Sequence, residues 1–200
     1  MWILFATSNQ GKIRDLTAYL EGSDIQLASP AQYAELQNLA PFGDEVKEVG
    51  NTYEENAALK SEAYFHWAKI PTLGDDSGLE VEALGGAPGL YSARYAGEGC
   101  SFADNINKLL REMDGVKNRK AKFICTLAYT DARDHTRFFR GELSGEITAQ
   151  PREGRGFGYD PIFEVAGTGK TLAEIKQSGE YFPTHRMQAM ELLREYLRSA

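Results

Sequence analysis

Two adjacent carboxylates, Asp75 and Asp76, stand in the segment Asp75-Asp76-Ser77-Gly78 after a short apolar run. Neighbouring side chains diverge, so one carboxylate can face a ligand while the other faces the scaffold. A ligand-facing Asp binds Mg²⁺, an ion that favours few carboxylates plus substrate phosphates, or takes a proton from water. A surface Asx turn uses the same residues, and both readings stand at this point.

Further acids lie upstream. Glu45 and Glu48 occupy an irregular stretch, and Glu54 and Glu55 open a helix that also carries Lys60. One of these acids supplies a second metal ligand, or all are solvated and capping charges. Lys60 is either a ligand contact or a plain surface lysine. The segment Thr7-Ser8-Asn9-Gln10-Gly11-Lys12 joins an apolar strand to a helix. Amides at such a junction point outward at the positive end of the helix dipole and suit a phosphate chain. The bland alternative is an ordinary N-cap at Ser8 or Asn9. In Gly156-Phe157-Gly158-Tyr159-Asp160-Pro161, glycines bracket an aromatic residue, which suits stacking on a flat ring, with Asp160 fixing sugar or base groups. A strand-entry turn with Phe157 in the core fits equally. His185-Arg186, after Pro183-Thr184, opens the last helix and either reads a base edge or phosphate or forms a surface pair. His66 and His135 have no comparable setting. Gly169-Lys170-Thr171 imitates part of a P-loop, but Glu164 stands where that motif needs glycine.

The elements that must carry these residues alternate between strand and helix patterns. Trp2–Ala6 reads as a strand buried on both faces, and Ile13, Leu16 and Leu20 recur at helical spacing. Residues 29–50 read as irregular. A helix starts at Thr52, with Glu55 completing a capping box, and runs to Trp67. Thr72–Gly74 and Leu79–Ala83 read as strands separated by the acidic turn. Ser101 caps a helix through Met113, and residues 121–130 and 136–148 form a hairpin turning at 131–134. A short helix covers 171–175, and the last covers 185–198 with Met187, Met190, Leu193 and Leu197 as its stripe. The class is α/β, of the mixed α+β kind, with a mixed sheet.

The 200 residues fit one domain of two lobes, and 42% hydrophobic content builds a core without disulfides. A net charge of −7 argues against a nucleic-acid partner, which wants a basic face. Two widely spaced cysteines and the lack of a long apolar run give the expectation of a cytoplasmic protein with no membrane partner.

Taken together, Thr7 to Lys12, Thr52 to Lys60, Asp75 to Leu79, Gly85 to Gly97, Phe157 to Phe163 and His185-Arg186 resemble the inosine triphosphate pyrophosphatase family, the Ham1/RdgB-like proteins. The resemblance spans nearly the whole chain. It implies an elongated mixed sheet flanked by helices, two lobes with a central cleft, and a homodimer. It implies Mg²⁺-dependent hydrolysis of ITP, dITP and XTP to the monophosphate and pyrophosphate. By that resemblance Asp76 is metal ligand and general base, with Glu48 the second ligand in preference to Glu45. Thr7, Ser8, Asn9, Gln10, Gly11, Lys12 and Lys60 meet the triphosphate, and Ser77 contacts substrate. Phe157, Gly158, Tyr159, Asp160, His185 and Arg186 surround the nucleoside. The family pattern is broken at Glu180, where a lysine is usual, and at Thr184, where a serine is usual. Lys176 or Lys170 then substitutes, or substrate preference differs. A non-catalytic nucleotide-binding module and a pyrophosphatase for modified pyrimidine nucleotides are the competing readings.

Overall fold

The computed structural model describes residues 1–43, 46–131 and 135–199. A six-stranded sheet runs in the order β2-β1-β3-β4-β5-β6, where β1 is Trp2–Phe5, β2 Gln26–Ala28, β3 Thr72–Val81, β4 Lys120–Thr130, β5 Thr136–Ile147 and β6 Phe163–Val165. β1 is parallel to both β2 and β3, whereas β5 and β6 are antiparallel, so the sheet is mixed. The chain forms two compact units. The first is Met1–Asp76, Cys125–Gly141 and Arg186–Ala200, and the second is Ser77–Ile124 and Glu142–His185.

In the first unit the continuous apolar run of β1 is explained by burial, because Ile3, Leu4 and Phe5 are all shut off from solvent. Parallel pairing demands a crossover, and helix α1 (Gln10–Tyr19) provides it between β1 and β2. Leu16 and Leu20 from that crossover pack with Ile3, Phe5, Leu73, Cys125 and Leu127, joined by Ala189, Met190 and Leu193. Two of those last three, Met190 and Leu193, belong to the expected stripe of the C-terminal helix, His185–Ser199.

Residues 29–50 are not wholly irregular as expected. Helix α2 covers Pro30–Gln37, with Ser29 as N-cap, Pro30 at the first position and a reciprocal bond between Ser29 and Gln32. That is a capping box with a proline start, so the signal was present in the sequence. Helix α3 (Tyr53–Ala68) starts where expected, with Thr52 accepting from the Glu55 amide. The box there is not closed as expected, because the Glu55 carboxylate accepts from the Asn51 amide at 2.6 Å.

The acidic turn is also corrected. Asp75-Asp76-Ser77-Gly78 lies inside β3, one uninterrupted strand of ten residues. Turn propensity of Asp and Gly yields here to pairing and to burial of the flanking residues. Gly74 shows how close the packing is. A Cβ at that position would lie 2.1 Å from the Ala57 carbonyl oxygen and 3.0 Å from the Ser61 amide, so α3 rests directly on the strand backbone.

The second unit has its own core. Ile106, Leu109 and Met113, the first two on α4 (Phe102–Glu112), pack with Leu79, Val81, Phe123, Phe163 and Leu172. Ser101 caps that helix through a box with Asp104. Thr171 caps α5, which reaches Ser178 and is longer than expected; the C-terminal helix is therefore α6. The short strand β6 was not foreseen. In the expected hairpin turn, residues 132–134 lie outside the described residues, as does Glu45.

Gly74→Ala should lower unfolding free energy by about 1–3 kcal/mol, the usual cost of overpacking, with the rigid α3 backbone favouring the upper end. Urea denaturation checks this, and an unchanged midpoint would contradict the close approach of α3 to β3.

Candidate active site

In the first unit the two carboxylates separate because successive residues of a strand point to opposite faces. Asp75 is buried at 1% exposure and receives cations. Its Oδ1 accepts from Lys12 Nζ at 2.5 Å, and its Oδ2 accepts from Arg186 Nε at 2.7 Å. Its backbone carbonyl accepts from Lys60 Nζ at 2.6 Å and from Lys12 Nζ at 3.2 Å. Arg186 also reaches Asp15 Oδ2 at 3.2 Å. Burial alone opposes the Arg186 charge, but Asp75, with Cys125 and Asp15, holds it protonated.

Asp76 has a different setting. Its Oδ2 accepts from Asn56 Nδ2 at 3.2 Å, and its Oδ1 lies 3.8 Å from Lys60 Nζ. The same ammonium bonds Glu48 Oε1 at 2.6 Å. Lys60 thus stands against both expected metal ligands. Burial pushes the Asp76 carboxyl above the ordinary carboxylate range. Lys60 and Lys12 oppose that rise, Glu48 adds to it, and the Asn56 hydrogen bond opposes it.

Asn56 was not singled out from the sequence, yet it has two ends at work. While Nδ2 holds Asp76, Oδ1 accepts from the Gly50 amide at 2.8 Å. A Cβ on Gly50 would lie 2.8 Å from that oxygen, so glycine lets the segment after Glu48 close on the helix. The overlooked signal was spacing: Asn56 and Lys60 are four apart and share one helix face. A buried Asn inside a helix, where it is a poor helix former, also points to a polar task.

The strand-to-helix segment realises its capping reading. Asn9 Oδ1 accepts from the Gly11 and Lys12 amides at 2.9 and 3.2 Å, and Thr7 Oγ1 accepts from the Asn9 amide at 3.2 Å. Ser8 and Gln10 are exposed beside this cap. Lys12 is the member that the fold brings to Asp75, 63 residues away in sequence.

In the second unit Asp160 organises the glycine-rich loop. Its Oδ2 accepts from the Phe157 amide at 3.0 Å and from Lys176 Nζ at 3.1 Å. Gly156 sits at φ +144°, and a Cβ there would meet that oxygen at 2.2 Å. The half-buried Phe157 ring has Lys176 Nζ 5.0 Å from its centroid and the Phe102 ring at 6.3 Å. Gly158 takes φ +62°. Tyr159 is placed differently from its neighbours: it is buried in the core, its hydroxyl donates to the Ser92 carbonyl at 2.9 Å, and burial pushes its phenol upward. His185 is buried and stacks on Phe123 with ring centroids 4.9 Å apart. Ser77, half-buried, opens this unit on the strand position after Asp76.

Asp15, Glu48, Asp75 and Asp76 therefore share the first unit's charge cluster with Lys12, Lys60 and Arg186, four carboxylates against three cations. The surplus negative charge and hard oxygen donors suit a divalent cation held partly by phosphate. Asp76 and Glu48, the two expected metal ligands, both face Lys60 Nζ, at 3.8 and 2.6 Å. Among the described residues no group of three or more His, Cys, Asp or Glu is arranged to hold a metal ion.

The Ham1 family model matches residues 3–196. The chain is 45% identical over 195 residues to the dITP/XTP pyrophosphatase of Staphylococcus epidermidis, covering 98% of this chain and 95% of that one. It is 42% identical over 197 residues to the dITP/XTP pyrophosphatase of Geobacter sulfurreducens, covering 98% and 96%. The solved Ham1 protein of Staphylococcus aureus superposes with a TM-score of 0.82 at 40% identity, covering 100% and 99% of the two chains. That of Coxiella burnetii gives 0.84 at 32%, covering both chains fully. This chain belongs to the Ham1 family.

A carboxyl whose pKa is raised on folding favours the folded state at low pH, and that advantage is lost as pH rises through the raised value. Asp76 is therefore a stability burden at neutral pH. Asp76→Asn should melt no lower than the parent at pH 7 in chelator, by differential scanning calorimetry. A drop of several degrees would show that the ionised carboxylate supports the fold.

Proposed function

We propose that this chain hydrolyses non-canonical purine nucleoside triphosphates (ITP, dITP and XTP) to the monophosphate and pyrophosphate, removing deaminated purines from nucleotide pools. We further propose Mg²⁺ as its cofactor, the cytoplasm as its location and a homodimer as its working form. No helix among the described residues is long and apolar enough to cross a membrane. The observation that carries the activity is the pairing of Asp76 and Glu48 across Lys60, in a chain that matches dITP/XTP pyrophosphatases along 98% of its length.

Asp76 and Glu48 are the residues that would hold the metal, which when bound neutralises phosphate charge and polarises phosphoryl oxygens. Lys12 and Lys60 add fixed positive charge, and Asp75 keeps both ammonium groups from wandering. Asp76 accepts a proton from water. That water attacks the α-phosphorus, the bond from the α-phosphorus to the bridging oxygen breaks, and pyrophosphate departs. Asn56 fixes Oδ2 of Asp76, so Oδ1 is the oxygen turned toward Lys60. In the second unit, Phe157 is the ring on which the base stacks. A polar group matched to the 6-oxo edge rejects amino purines, because it would be left unpaired.

The parent should release pyrophosphate from ITP, dITP and XTP far faster than from ATP or GTP, and only with Mg²⁺ present. Release of orthophosphate alone would refute the reading. Asp76→Asn should lose roughly 10²–10⁴-fold in kcat, the scale of a missing acid–base group. Near-parental turnover would take Asp76 out of the reaction.

A further inference from the structure

Lys176 on α5 is bound to the aromatic loop through an ion pair, and it holds two relations there at once. Its ammonium is 3.1 Å from Asp160 Oδ2, the oxygen that also anchors the Phe157 amide, and 5.0 Å from the centre of the Phe157 ring. Its side chain is 17% exposed, while its carboxylate partner is 5% exposed. The lysine is thus held in place by a buried anion yet reaches the surface where the ring lies. Lys170, the other lysine of this region, is exposed, and Glu180 is exposed with its amide bonded to Ser178.

We infer that Lys176 is a specificity-determining residue, which donates a hydrogen bond to the 6-oxo edge of a purine stacked on Phe157. This rests on the purine triphosphate reading given above. The chemistry is one-sided. An ammonium only donates, in three directions, so it rewards an acceptor on the base edge and offers nothing to a donor. Hypoxanthine, xanthine and guanine present an oxygen at position 6, whereas adenine presents an amino group there. Lys176 therefore separates oxo from amino purines and is blind to the 2-position, where guanine differs from hypoxanthine. Asp160 keeps the ammonium aimed, so the cost of ordering a long side chain falls before the ligand arrives.

Lys176→Met removes the donor at similar length, and Lys176→Arg keeps a charged donor. Steady-state kinetics with ITP, GTP and ATP give one readout. Equilibrium binding of IMP, GMP and AMP to the same proteins gives another that needs no turnover. Lys176→Met should lower the ITP-over-ATP preference about 10- to 100-fold, the scale of a lost charged hydrogen bond, and change ITP-over-GTP by less than about 3-fold. The change should sit in KM and in Kd rather than kcat, and Lys176→Arg should restore most of the oxo preference. Equal losses for all three nucleotides, or no change in any, would overturn the assignment. So would a parent that binds IMP and AMP alike. A parent that prefers IMP, loses that preference in Lys176→Met and hydrolyses nothing would uphold the lysine and refute the activity instead.

Discussion

Three cations converge on one buried residue, Asp75, two on its carboxylate and one on its backbone carbonyl, and the first unit is organised by that convergence. Lys12 comes from α1, Arg186 from α6, and Lys60 from α3 reaches the Asp75 carbonyl. Removing charges from water is expensive, and only good geometry with satisfied hydrogen bonds offsets the penalty. Here both Asp75 oxygens have a cation at 2.5 or 2.7 Å. One strand residue thereby ties three helices to the sheet.

That arrangement also decides what Asp76 is for. Because side chains alternate along β3, fixing Asp75 among the cations turns Asp76 to the other face, against Asn56, Lys60 and Glu48. A register slip of one residue would exchange the two carboxylates. Gly74, pressed under α3, and Gly50, closed on Asn56, keep helix and strand at the distance this division needs. The second unit repeats the logic at smaller scale, with Asp160 as the buried anion and the Phe157 amide and Lys176 as its partners.

Much of this was legible in the sequence. Asn9 and Thr52 declared their helix starts by residue type, and β1 declared its burial by an unbroken apolar run. The divergence of Asp75 and Asp76 followed from their adjacency alone. What failed did so for physical reasons. Turn-forming letters at 75–78 were overridden by tertiary pairing, which local propensity does not contain. Helix α2 was overlooked although Ser29-Pro30 and Gln32 announced it. Asn56, Asp15 and Lys176 could not be assigned partners, because those partners lie 20, 171 and 16 residues away. The surface-pair reading of His185-Arg186 fails, because the fold buries Arg186 at 2% exposure between Asp75 and Asp15.

The division of labour between the two carboxylates is tested most directly by the unfolding free energy of Asp75→Asn, measured by urea denaturation beside its kcat. With Arg186 left to Asp15 alone and Lys12 deprived of its carboxylate, stability should fall by about 3–5 kcal/mol, the cost of breaking a buried pair. A variant as stable as the parent but devoid of turnover would make Asp75 the chemical group and contradict the account.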